Sequence, residues 1–176
     1  NARIKDVFVE GNRYWFVTKD KLIHKIGDTF VSSVIGFPND KIEIQTILVD
    51  GTNKYFGTNQ GLWLRNDKGE LELLQKNINV LSLAKLKSGF IIIGSKKGLY
   101  YLNAGKLKQY RPFGDAHIAL NKTPVYGITV ISANEVWYST FGMGVYLHDP
   151  STFSNFGPRD GLETGGMVYD LIANNE

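Results

Sequence analysis

Cysteine is absent from this chain of 176 residues, which excludes disulfide bridges and cysteine-ligated metal sites. Runs of like charge are also missing. No five consecutive residues carry the same charge and the net charge is only +3, so the sequence indicates no nucleic-acid or membrane-binding patch. No stretch of 18 apolar residues occurs, so no segment has the character of a membrane-spanning helix.

Clusters of catalytic or metal-ligating side chains are equally scarce. The three histidines are far apart and lack metal-ligand spacing: His24, His117 and His148. Carboxylates occur mainly at turns such as Asp50 and Asp67, and no pair of them is singled out for glycoside hydrolysis. The sequence therefore predicts no catalysis, no cofactor and no metal. A lyase or hydrolase is therefore the least favoured class of function for this chain.

What the sequence does contain is a repeat. Short runs of Val, Ile, Tyr, Phe and Trp are broken by Gly, Asn, Asp and Lys, a pattern typical of strands and turns. In "KYFGTNQGLWLRN", an aromatic run ends in Thr58, and a polar step then leads to a second apolar run. Equivalent residues recur about every 40 positions, the range of propeller blades and helical solenoids, and the strand-and-turn pattern favours the former: Thr18, Thr58, Ser95 and Thr140.

Each repeat divides into four candidate strands. This pattern predicts an all-β chain, a β-propeller segment of four four-stranded blades at about 3–35, 42–76, 80–111 and 125–157. A β-sandwich is the main rival, but it does not explain why the same turn chemistry recurs in phase.

The repeat resembles the two-component regulator propeller repeat, in which Gly-Leu, an apolar strand, a turn, Ile-Trp-x-Gly-Thr and a later Gly-Leu follow one another. The matching pairs are Gly161-Leu162, Gly57-Thr58, Gly61-Leu62, Gly94-Ser95 and Gly98-Leu99. Repeat one departs from the pattern, because Lys21 replaces the later glycine.

The resemblance implies a function. Proteins with such repeats are similar to the periplasmic sensor region of hybrid two-component histidine kinases of the Bacteroidetes type, whose ligands are often oligosaccharides. We therefore expect a periplasmic sensor segment for carbohydrate sensing and signal transduction, itself without kinase motifs. The alternative is a propeller scaffold for protein contacts without a small-molecule site.

The candidate site is predicted on the loops between second and third strands, which share a face with the linkers between blades. The predicted ligand-binding residues are Asn59, Gln60, Lys96, Lys97, Phe141 and Met143. The three tryptophans lie in predicted strands, so we expect them to pack within the fold rather than stack on a sugar: Trp15, Trp63 and Trp137. The phased Thr and Ser residues are expected to form hydrogen bonds at strand ends.

The ends suggest a cut from a larger propeller. The chain begins at Asn1 without a leader, and "MVYDLIA" over 167–173 repeats the opening of a blade, so it is predicted as the first strand of a fifth. An open arc exposes apolar flanks and an unpaired edge, so we expect self-association or contact with further blades of the parent chain. Nucleic acid and membrane are not expected partners.

Overall fold

The computed structural model describes residues 3–103, 105–111, 122–149, 153–162 and 168. These residues form sixteen β-strands and a short 3-10 helix at Pro158–Asp160, and they contain no α-helix. Blade 1 consists of β1 (Asp6–Glu10), β2 (Arg13–Val17), β3 (Lys21–Ile26) and β4 (Thr29–Val34). Blade 2 consists of β5 (Ile44–Asp50), β6 (Asn53–Thr58), β7 (Gly61–Arg65) and β8 (Leu71–Lys76).

The other two blades follow the same plan. Blade 3 consists of β9 (Val80–Lys85), β10 (Ile91–Ser95), β11 (Gly98–Asn103) and β12 (Lys106–Gln109). Blade 4 consists of β13 (Val125–Val130), β14 (Val136–Thr140), β15 (Val145–His148) and β16 (Phe153–Phe156). Each sheet is antiparallel with its strands in chain order, which confirms the predicted all-β propeller segment of four four-stranded blades. The fifth-blade strand predicted at 167–173 lies outside the described residues, apart from Val168.

The chain divides into two compact units, residues 1–80 and 81–176. The first unit contains blades 1 and 2. The second contains blades 3 and 4, although β9 begins at Val80, the last residue of the first unit. The assignment of the whole chain to a single propeller remains a prediction.

Both units bury apolar side chains between their two sheets. The core of the first unit consists of Val17, Leu22, Ile35, Ile42, Ile44, Ile47, Val49, Phe56 and Trp63. That of the second unit consists of Ile92, Leu99, Val125, Val136, Tyr138 and Tyr146. Burial between neighbouring sheets explains the apolar runs within the second strands, such as Ile91–Ile93 of β10.

A β-bulge in the first strand of blades 2 and 4 meets a polar side chain of the preceding blade in the same unit. Register shifts lie between Ile44 and Thr46 and between Val125 and Gly127. At the first bulge, Asp6 Oδ2 accepts hydrogen bonds from Thr46 Oγ1 at 2.8 Å and from the Ile47 backbone N–H at 2.9 Å. At the second, Ser82 Oγ donates to the Val125 carbonyl at 3.2 Å. A bulge disrupts the ladder locally, and these side chains bond the backbone at that point.

Close contacts with neighbouring strands explain why glycine precedes Thr58 and Ser95 in the repeat. A Cβ atom at Gly57 would lie only 2.5 Å from Thr46 Cγ2 and 2.5 Å from Val80 Cγ1. A Cβ atom at Gly94 would meet Ser82 Oγ and would lie 2.7 Å from the Val125 carbonyl oxygen. Glycine at these positions lets neighbouring strands approach closely.

The phased Thr and Ser hydroxyls hold the loops that follow them. Thr58 Oγ1 donates to the Gly61 carbonyl at 2.8 Å and accepts from the Gly61 N–H at 2.9 Å. Ser95 Oγ donates to the Gly98 carbonyl, and Thr140 Oγ1 donates to the Gly144 carbonyl. In blade 1, Thr18 Oγ1 accepts from the Lys21 N–H at 3.2 Å. All four residues are buried, which confirms their predicted role as strand-end hydrogen bonders.

Candidate functional site

A cleft of about 370 Å³ in the first unit lies beside the β2–β3 loop and the linker from blade 1 to blade 2. We call it the loop–linker cleft. Its principal lining residues are Lys19, Asp20, Phe37, Asn39, Asp40 and Ile42. The volume falls in the range of small-molecule sites, which are commonly 300–1,000 Å³.

Backbone hydrogen bonds fix the linker on both sides of the cleft. The Ile35 N–H donates to the Asp20 carbonyl, and the Ile44 N–H donates to the Lys19 carbonyl, each at 3.0 Å. Both ends of the linker are therefore attached to the same β2–β3 loop. Between them, Asn39 Oδ1 accepts from the Lys41 N–H at 3.0 Å, which makes a local turn. The cleft is thus preformed by the protein backbone.

The side chains of the cleft combine an aromatic wall with carboxylates. Phe37 packs edge-on against Trp63 and Phe56, with ring centroids 5.4 Å and 6.3 Å away. Asp20 and Asp40 are exposed carboxylates, which accept hydrogen bonds. An apolar surface with a few polar groups is the usual composition of a small-molecule site.

Two of the predicted site residues form hydrogen bonds to the linker that borders this cleft. Asn59 Nδ2 and Gln60 Nε2 both donate to the Lys41 carbonyl, at 2.9 Å and 3.0 Å. Asn59 Oδ1 accepts from the Glu43 N–H at 2.9 Å. These side chains therefore hold the linker. Asn59 and Gln60 lie where the loop and the linker meet, and a ligand-binding role for them stays a prediction.

The other four predicted site residues belong to the second unit. Lys96 and Lys97 are exposed in the β10–β11 loop, where the Lys97 N–H donates to Ser95 Oγ. Phe141 and Met143, in the β14–β15 loop, are 51% and 41% exposed. The Phe141 N–H donates to the Pro124 carbonyl at 3.1 Å, so this loop is also bonded to the linker before its blade.

The sequence did not predict that Lys19, Asp20 and Phe37 line the loop–linker cleft. The repeat itself carried the signal for the first two, because Lys19 and Asp20 follow Thr18 as Asn59 and Gln60 follow Thr58. Nothing in the sequence indicated Phe37, since its position depends on packing against another blade.

We expect Asn59→Ala to destabilise the first unit by about 1–2 kcal/mol, because the Glu43 N–H and the Lys41 carbonyl lose a partner. Urea unfolding of the full chain measures this. Asn103→Ala is the matched control, since Asn103 is exposed at the end of β11, and its effect should stay within about 0.5 kcal/mol. Equal stabilities for the two variants would show that Asn59 does not hold the linker.

A second cleft of about 380 Å³ lies at the opposite strand ends of the same unit, beside the β5–β6 and β7–β8 turns. We call it the basic cleft. Its main side chains are Arg13, Trp15, His24, Lys54, Arg65 and Asp67. No feature of the sequence pattern had indicated it, because its cations come from both blades of the unit.

The tryptophans pack within the fold, as predicted. Trp15 stacks on His24 with ring centroids 3.9 Å apart, and Lys54 Nζ lies 4.9 Å from the Trp15 ring centroid. Trp63 is buried in the core of the first unit. Trp137 stacks on Phe156 and donates from Nε1 to Glu135 at 2.9 Å. Trp15 also lines the basic cleft.

Groups of three or more His, Asp or Glu that could hold a metal ion do not occur among the described residues. In the same part of the chain, no helix has the length and apolar character needed to cross a membrane.

Comparison with models of known protein families gives no match, and no curated protein matches the sequence. Solved structures do match. The extracellular domain assigned to the hybrid two-component system BT4673 of B. thetaiotaomicron superposes with a TM-score of 0.70 at 18% identity, over 97% of this chain and 24% of that one. The corresponding domain of BT3049 gives 0.67 at 14% identity, over 89% and 25%.

A third similar structure is an enzyme. A catalytically inactive variant of virginiamycin B lyase from Staphylococcus aureus, solved with quinupristin, has a TM-score of 0.69 at 12% identity, over 93% of this chain and 57% of that one. At such low identities these likenesses show the propeller fold alone. This chain spans about a quarter of the length of the two extracellular domains.

Proposed function

We propose that this chain is a non-catalytic recognition segment of an extracytoplasmic sensor in a hybrid two-component system, and that it binds a glycan or transmits its binding. The observation that carries the proposal is the loop–linker cleft, a preformed site of about 370 Å³ with an aromatic wall and exposed carboxylates. The likeness to two extracellular domains of such systems supports the sensor role and the periplasmic location.

The chemistry of the cleft suits a saccharide. Sugar hydroxyls donate hydrogen bonds, which Asp20 and Asp40 accept, and the C–H face of a pyranose ring packs against the face of an aromatic ring, for which Phe37 is the candidate. Phe141 and Met143 form a separate candidate site in the β14–β15 loop of the second unit, where exposed apolar groups gain by burial against a ligand. A histidine kinase is proposed for the parent protein and not for these residues.

A panel of neutral oligosaccharides tests the proposal on the full chain. For an oligosaccharide that binds in the loop–linker cleft, Asp20→Asn with Asp40→Asn should weaken binding more than tenfold, about 1.4 kcal/mol, since an amide accepts fewer hydrogen bonds than a carboxylate. For one that binds at the β14–β15 loop, Phe141→Ala with Met143→Ala should have an effect of the same size. Phe30→Ala and Asp28→Asn are the controls, because both residues are exposed and neither lines the loop–linker cleft. Circular dichroism of each variant verifies its fold.

Unchanged affinity in both double variants would place the ligand elsewhere on the chain. Failure of every oligosaccharide to bind would favour the second candidate function, a scaffold for protein contacts. Exposed apolar side chains of blade 1 support that candidate, and they are Val7, Val9, Phe30, Val31 and Val34. Sedimentation of the chain over a range of concentrations would then show whether these residues mediate self-association.

A further inference from the structure

The basic cleft concentrates cations that the strand register forces together. Lys54 of β6 and Arg65 of β7 are direct cross-strand partners. Arg13 and Trp15 are two residues apart on β2 and so share one face of blade 1. His24 is the cross-strand partner of Trp15 and stacks on it, which places the imidazole on that face as well.

Like charges are close together in this arrangement, and Glu10, the cross-strand partner of Arg13, opposes them only in part. Like charges directly opposite each other in a sheet are destabilising. Burial, and then the neighbouring Arg65, lower the pKa of Lys54, whereas Glu10 acts in the opposite direction. Within the described part of the chain, Arg13, Lys54 and Arg65 form no ion pair with a carboxylate. Asp67 is the acidic residue that lines the cleft, so the basic side chains outnumber the acidic ones.

The two opposed cations are oriented by the turns beside them. Arg65 Nε donates to the Gly69 carbonyl at 3.3 Å, and Lys54 Nζ donates to the Thr52 carbonyl at 3.2 Å. Each bond uses one donor of its side chain. The Arg65 guanidinium keeps its four terminal N–H groups, and the Lys54 ammonium keeps two, for another acceptor.

We infer that the basic cleft is a binding site for the carboxylate of a small organic acid, held by Arg65 and Lys54 with Arg13 beside them. A planar guanidinium matches a carboxylate through two parallel hydrogen bonds, and charge-assisted bonds of this kind are strong. A bound carboxylate also relieves the repulsion between Lys54 and Arg65. The site is separate from the proposed glycan site, because the two clefts lie at opposite strand ends of the first unit.

Calorimetric titration of the full chain tests the inference with three probes: succinate, D-glucuronate and D-glucose. We expect both acids to bind and glucose not to bind, with affinity falling as salt is raised. A preference for glucuronate would assign the carboxylate to a sugar acid, and a preference for succinate would assign it to an aliphatic acid. The inference is wrong if neither acid binds, or if glucose binds as tightly as glucuronate.

Charge-removing variants locate the site. Arg65→Gln and Arg13→Gln should each weaken binding of the acids at least tenfold. Lys68→Gln, which removes an exposed charge from the neighbouring β7–β8 turn, should leave it unchanged. The same loss in all three variants would indicate a response to net charge and not a site. Neutral oligosaccharide binding should survive Arg65→Gln, so failure of this inference and failure of the glycan proposal remain distinguishable.

Discussion

Replacing Phe56 with alanine is expected to destabilise the first unit by about 3–5 kcal/mol, the range observed when a buried phenylalanine is truncated. Phe56 has no exposed surface and lies in the core between blades 1 and 2. Its ring also meets the edge of Phe37, so the cavity would open beneath the loop–linker cleft. Urea denaturation followed by circular dichroism measures the loss.

Phe30→Ala is the matched control for this substitution. Phe30 lies on β4 and is 59% exposed, and its aromatic contact is an edge-on approach to Phe16 with ring centroids 5.8 Å apart. Its loss should cost about 1 kcal/mol or less. A Phe56→Ala chain as stable as the Phe30→Ala chain would contradict the assignment of Phe56 to the core.

Replacing Thr58 with valine should cost about 1–3 kcal/mol, because it leaves buried polar groups without a partner while keeping the shape of the side chain. The Thr58 hydroxyl bonds the Gly61 carbonyl and the N–H groups of Gln60 and Gly61. Without it, the β6–β7 loop that carries Asn59 loses its attachment. Urea unfolding measures the loss of stability, and the rate of proteolysis within the β6–β7 loop measures its loss of attachment.

Thr58→Ser keeps the hydroxyl and removes the methyl group, so it distinguishes their contributions to stability. Serine makes the equivalent bonds at Ser95 in blade 3, so Thr58→Ser should retain most of the stability that Thr58→Val loses. Thr29→Val serves as the surface control, since Thr29 is exposed at the start of β4 and its effect should stay within about 0.5 kcal/mol. A Thr58→Val chain with native stability would show that the repeated hydroxyl does not organise the loop.

The parts of the fold that sequence could predict are those set by local chemistry. Strand propensity, turn glycines and the phased hydroxyls at Thr18, Thr58, Ser95 and Thr140 act within one hairpin, so each repeat displays them separately. For that reason the all-β class and the four-stranded blades were predictable, and so was the bonding of the hydroxyls.

Contacts between blades were not predictable in the same way. Asp6 meets the β5 bulge from some forty positions away in the chain, and Ser82 meets the Val125 carbonyl at a similar distance. Neither residue stands out from its own strand. The reason for the glycine at Gly57 and Gly94 was hidden too, since the atoms that exclude a side chain there come from other strands.

In the candidate site, too, local features were predictable from the sequence and contacts between distant residues were not. The sequence indicated the loops that meet the linkers, and Asn59 and Phe141 do bond to linker backbone. It could not show that the side chains of Asn59 and Gln60 are used to hold Lys41, or that Phe37 lines the loop–linker cleft. The basic cleft was likewise hidden, because it brings Arg13 of blade 1 beside Lys54 and Arg65 of blade 2.

We propose above all that this chain recognises a ligand without transforming it. Nuclear magnetic resonance of an oligosaccharide mixed with the full chain tests both halves in one sample. We expect the ligand signals to broaden and shift in a saturable manner, and Asp20→Asn with Asp40→Asn to diminish this effect. The oligosaccharide should be recovered chemically unchanged after prolonged incubation. Steady accumulation of a cleaved or eliminated product, abolished by a single carboxylate substitution, would contradict it.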